Sequence, residues 1–185
     1  MADIKYSGLS ISSKLLIAGL IEQGYQEYPL GEKCLGCLLA EPEVLRNPDD
    51  QAKTIPQASL YAMRGDLVVL RKPLRIDNRG ERPTPDGFLN NPDEPIEFKH
   101  PDSNSSNAFT KNLSKASKGL AHIRRSVWLA EGSSLRRVAE ILHGHYKISP
   151  TMNKVDIIVG QKIIEFDRDF WTLHGLSGLK AKLGI

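Results

Sequence analysis

Residues 85–99 read PDGFLNNPDEPIEFK. In the last four, Ile96-Glu97-Phe98-Lys99, apolar and charged residues alternate, the pattern of a strand with one buried face. Successive strand side chains point to opposite faces, so Ile96 and Phe98 are expected in the core and Glu97 and Lys99 together on the other side. The preceding Asn90-Asn91-Pro92-Asp93-Glu94-Pro95 is rich in residues that favour sharp reversals. A turn there lays a second strand, around Gly87 to Asn90, alongside the first. Asp86, separated from Glu97 by ten residues, stands near its start. Two carboxylates and an ammonium are thereby expected to converge on one patch.

Upstream, Ser10 or Ser12 caps a helix through about Gln23, with Leu15, Leu16, Leu20 and Ile21 inward and Gly24 as its stop. Residues 25–58, with several prolines and Asn47-Pro48-Asp49-Asp50, read as loop with at most one short helix. Leu67-Val68-Val69-Leu70 is a buried-type strand that Pro73–Ile76 extends or restarts, followed by a polar loop from Asp77 to Pro85. Downstream, a hydrophilic loop from His100 to Asn107 precedes a helix whose Phe109, Leu113, Ala116 and Leu120 form one apolar stripe. Lys111, Lys115, Lys118 and His122 repeat the same spacing on its opposite face. Val127–Ala130 reads as a strand, with Trp128 in the core. Ser133 or Ser134 opens a helix carrying Leu135, Val138, Ala139 and Leu142 inward. Val155–Val159, Gly160-Gln161 and Lys162–Phe166 form a closing hairpin, and the tail from Phe170 packs back as a short helix, Trp171 serving either that packing or as a stacking platform. This order of elements predicts an α+β fold, a mixed sheet of about five or six strands with helices packed against it.

At 185 residues the chain suits one domain, in which residues 1–80 are a helix-and-loop portion and residues 84–166 the chemically informative core. No apolar run approaches the roughly 20 residues of a membrane span, and neither a membrane partner nor a secretory signal is expected. The formal charge of +3 is mild, but between Lys111 and Arg137 seven Lys or Arg stand against one acid, Glu131. Cys34 and Cys37 form a lone C-L-G-C without the further ligands a zinc site needs, so they read as structural residues about a glycine turn. A reducing, cytoplasmic site of action fits them. Arg124, Arg125, Arg136 and Arg137 are expected at the surface. His143 and His145 are expected in a structural role at a helix end, where positive charge suits the dipole.

Two routes to phosphodiester cleavage fit these residues. In one, Asp86 and Glu97 hold a hard cation such as Mg2+, which generates hydroxide, and Lys99 stabilises the developing charge. In the other, no cofactor is needed, because RNA supplies its ribose 2′-hydroxyl as nucleophile. Glu97 or His100 is then the base, Lys99 and a helix lysine such as Lys111 neutralise the oxyanion, and His100 or His122 is the acid. Lys111, Lys115, Lys118 and His122 would add sequence-independent affinity for phosphates.

Pro85, Asp86, Glu97 and Lys99 resemble the motif of the PD-(D/E)xK nuclease superfamily. A longer pattern comprises Thr84-Pro85-Asp86, Glu97-Phe98-Lys99-His100-Pro101, the polar loop to Asn107, the basic helix with Lys111 and Lys115, the strand at Val127, the helix at Leu135 and the hairpin VDIIVGQKIIEF. This pattern is similar to the C-terminal tRNase toxin domains of contact-dependent inhibition proteins, in the barnase/EndoU/RelE-like ribonuclease group. It departs at His100, where those domains usually carry a hydroxyl residue, and at Ala108, where a hydroxyl is common. The resemblance implies a metal-independent ribonuclease acting on tRNA, delivered from another cell and neutralised by an acidic immunity protein.

Overall fold

The computed structural model describes residues 6–72, 84–115 and 122–185. The expected strand continuation at Pro73–Ile76, most of the following polar loop, and Ala116, Lys118 and Leu120 lie outside them. The class is α+β, with eight strands among the described residues where five or six were expected. The chain divides into two compact units, residues 1–96 and 97–185.

In the first unit, Ser10 accepts the Ser13 N–H and opens α1 (Ile11–Glu22). Its inward residues are Ser13, Ile17 and Leu20. Leu15 and Ile21, expected inside, are 70% and 48% exposed. Ser13 takes an inward position because its hydroxyl is paired with that of the capping Ser10. Residues 25–58 are far from loop. They contain β1 (Gln26–Glu27), β2 (Cys37–Ala40), α2 (Pro42–Arg46), a π-helical turn (Asp50–Thr54) and the start of α3 (Ile55–Met63). Pro42 sits in the first turn of α2, where a missing N–H costs nothing and the fixed φ suits the helix, and Pro56 is the second residue of α3, which follows directly on the π-helical turn. β2 pairs antiparallel with β1 and parallel with β3 (Leu67–Leu70). Both β2 and β3 are buried along their whole length, as parallel strands covered on both faces are.

β3 pairs antiparallel with β4 (Gly87–Leu89), and β4 pairs antiparallel with β5 (Pro95–Lys99). The expected reversal at 90–94 is therefore present. A Cβ at Gly87 would stand 2.0 Å from the Val69 carbonyl oxygen, so only glycine allows β4 to approach β3 this closely. Asn90 adopts φ 60°, which its short polar side chain tolerates. That side chain accepts the Leu67 N–H at 2.9 Å and donates to Asp66 Oδ1 at 3.0 Å.

The second unit continues from β5 through α4 (Ser106–Lys115), β6 (Arg124–Trp128), α5 (Leu135–Ile148), β7 (Lys154–Val159), β8 (Lys162–Asp167) and α6 (Arg168–Leu183). Ser134 caps α5 by accepting the Arg137 N–H. α5 crosses between the parallel strands β6 and β7, and the two-residue turn Gly160-Gln161 joins β7 to antiparallel β8. Val127, Val155, Ile157, Ile164 and Phe166 pack under Leu113 of α4, Val138, Leu142 and Tyr146 of α5, and Leu179 of α6. Arg168 fastens α6 by donating to the carbonyls of Tyr146, Ser149 and Met152. β6 begins three residues earlier than the sequence suggests, and this draws both arginines into the fold. Arg125 is fully buried and the Arg124 side chain is 11% exposed, correcting the expected surface placement. Trp128, expected in the core, is half-buried at the strand's end.

Arg124 performs a specific task. Asp156 and Glu165 face one another across β7 and β8, a like-charge pair that repels unless neutralised. The Arg124 guanidinium donates to both oxygens of Asp156, at 2.6 and 3.1 Å, and reaches Glu165 at 2.7 Å. The Asp156 side chain is wholly buried. Removing one partner of such a pair strands a buried charge and costs about 3–5 kcal/mol. Arg124→Met is expected to lower urea-unfolding stability by that order, and Arg124→Met with Asp156→Leu to recover much of the loss. Arg137→Ala, at an exposed pair with Glu140, should change stability by less than about 1 kcal/mol.

Candidate functional site

β5 presents its residues alternately. Ile96 and Phe98 are buried, and Pro95, Glu97 and Lys99 are half-buried. Glu97 and Lys99 form an ion pair across their shared face, their side chains 15% and 20% exposed. The buried Arg125 guanidinium lies within electrostatic range of Glu97. Burial pulls the Arg125 pKa below the ordinary arginine value, while Glu97 acts the other way. His145, in the last turn of α5, is held below the ordinary imidazole value first by burial and then by Arg125. The expected favourable dipole charge is thus outweighed there, and the ring is neutral at pH 7. Tyr146, the next residue, is buried, and burial pushes its hydroxyl pKa upward.

Glu97, Lys99, Arg125 and His145 therefore supply one carboxylate, two cations and a neutral imidazole. A carboxylate can accept a proton, fixed cations can stabilise a phosphorane-like charge, and an imidazole can relay a proton. The two cations about Glu97 leave no charge deficit for a dication to fill, so this donor set does not fit Mg2+. Among the described residues no group of three or more His, Cys, Asp or Glu is arranged to hold a metal ion.

The other sequence-derived candidates are placed as follows. Asp86 stands in the first unit one residue ahead of β4, where its carbonyl accepts the Arg71 N–H at 2.9 Å. The His100 ring lies 5.5 Å from the Trp128 ring, centroid to centroid. Lys111 is exposed on α4, Lys115 is the last residue of that helix, and Lys118 lies outside the described residues. His122 is exposed with φ 67° just ahead of β6. The Cys34 thiol donates to the Gly36 and Ala62 carbonyls, and Cys37 is buried at the start of β2. The sequence places Arg125 at the surface and His145 in a structural role, and so misses both as neighbours of Glu97 and Lys99. Their signals were an arginine inside an apolar strand and a histidine adjoining the inward-facing Tyr146.

No protein-family model, curated protein or solved structure matches the chain. Among the described residues no helix is long and apolar enough to cross a membrane.

Trp171 is a packing residue. Its indole N–H donates to His143 Nδ1 at 2.9 Å, and its ring stacks on Tyr146. Burial, and then Lys147, lower the His143 pKa below the ordinary 6.5. Protonating Nδ1 would break the bond to Trp171. With His143 and His145 both depressed, the unfolded chain binds more protons below about 6.5, so these groups cost stability as pH falls and nothing above that value. Melting temperatures are expected to fall from pH 7 to pH 5, and His143→Phe should flatten that slope.

Proposed function

We propose that this chain is a ribonuclease that cleaves tRNA by metal-independent attack of the ribose 2′-hydroxyl. The observation that carries the reading is the Glu97–Lys99 pair on one partly open face of β5, backed by the Arg125 charge. Glu97 takes the proton of the 2′-hydroxyl, Lys99 neutralises the non-bridging phosphate oxygens, and the Arg125 guanidinium adds a second positive charge within electrostatic range of Glu97. The proton that Glu97 accepts returns to the leaving 5′-oxygen, with the His145 imidazole as relay, taking it up on one ring nitrogen as the proton on the other is released. Lys111, exposed on α4, adds affinity for the phosphate backbone. The biology that goes with this chemistry is that of a toxin acting in the cytoplasm of a recipient cell, with an acidic immunity protein covering the cationic face.

The test is incubation with tRNA and with plasmid DNA, each with and without a chelator. Cutting of tRNA in both conditions, leaving 2′,3′-cyclic phosphate ends, is expected. Glu97→Gln and Lys99→Met should each reduce the rate about a hundredfold to ten-thousandfold. Plasmid degradation abolished by chelator would instead assign the chain to the metal-dependent DNA nucleases. An unaltered rate in both variants would remove Glu97 and Lys99 from the chemistry.

A further inference from the structure

At the carboxyl ends of the parallel strands β6 and β7 lies a cavity of about 520 Å³, well within the range of small-molecule sites. Its walls include Trp128, Leu129, Leu135 and Val159, and Glu131 and Ser133 lie on the loop that enters α5. In open sheets with parallel strands, ligands bind outside the carboxyl ends of the strands. We propose that this cavity takes one unstacked nucleobase, with Trp128 as its stacking surface. The identity of the base donor, an RNA, rests on the ribonuclease reading.

The lining distinguishes a base from a phosphate. The apolar side chains of Leu129, Leu135 and Val159 favour a planar, uncharged group. Glu131 is exposed at the rim, where a carboxylate repels phosphate and accepts hydrogen bonds from the amino and imino groups of a base edge. Arg136 and Arg137, in the first turn of α5, share Glu140 and neither lines the cavity. Trp128 is half-buried rather than packed away, and its indole N–H has no hydrogen-bond partner among the described residues. It offers a face for stacking and a donor for a base carbonyl. Stacking of bases on aromatic side chains is a principal means of holding single-stranded RNA. Gly132, at φ 77°, turns the loop sharply, and a Cβ there would stand 3.1 Å from the Asn104 side-chain amide.

The experiment titrates the Glu97→Gln protein with the four nucleoside 5′-monophosphates and with ribose 5-phosphate, following tryptophan emission. Saturable quenching by at least one nucleotide and none by ribose 5-phosphate is expected. Trp171, stacked on Tyr146, supplies a constant background. Trp128→Leu, followed by calorimetry because it removes the reporter, should bind about tenfold or more weakly. Glu131→Gln, at an exposed position that folding does not depend on, should change the preference among the four bases. Absence of saturable quenching up to the solubility limit would overturn the proposal, as would equal quenching by ribose 5-phosphate, the behaviour of a phosphate site. Cutting of tRNA by the wild type without nucleotide quenching would sink the pocket and spare the ribonuclease reading. Quenching without cutting would support the pocket and sink that reading.

Discussion

The second unit depends on the Arg124 guanidinium held between Asp156 and Glu165. Three adjacent strands each contribute one charge, and two of those charges are acids set opposite each other. A one-residue slip would turn Asp156 toward the helices and present Val155 to the polar face, so the ion triad fixes the register of β6, β7 and β8. Such a buried arrangement contributes more to choosing one alignment than to stability as such.

That register decides where every other group goes. With Arg124 on the polar face, Arg125 must point the other way, toward α5. There it lies near Glu97, His145 and Tyr146, and Val127 beside it joins the apolar core. The same alternation sets Trp128, the last residue of β6, on the Arg124 side of the strand, and it borders the cavity beyond the strand's end. One electrostatic constraint thus orders both the cationic surroundings of the β5 carboxylate and the aromatic wall of the pocket.

The period-two signals were legible. Ile96-Glu97-Phe98-Lys99, the reversal before it and the VDIIVGQKIIEF hairpin all emerged at their expected places, as did α5 behind its Ser134 cap. Cys37–Ala40 was not, because a strand buried on both faces shows no alternation and is flanked by proline-rich sequence that resembles loop. Arg124 read as a surface residue because local sequence says nothing of a partner 32 residues away. The cue was Asp156 itself, a lone acid inside an apolar run, which demands a buried cation. Glu97 and Lys99 could be placed on a common face from spacing alone. That Arg125 and His145 stand near them is a matter of tertiary packing, which no local pattern encodes.

The proposed ribonuclease activity requires RNA to engage the side of β5 that carries Glu97 and Lys99. Amide chemical-shift mapping with a short RNA blocked by 2′-O-methyl groups measures this directly, since the ligand binds but cannot react. The largest shifts are expected on Glu97 to Lys99, on Arg125 and on the last turn of α5. Shifts confined to the first unit, or to the exposed surface of α6, would contradict it.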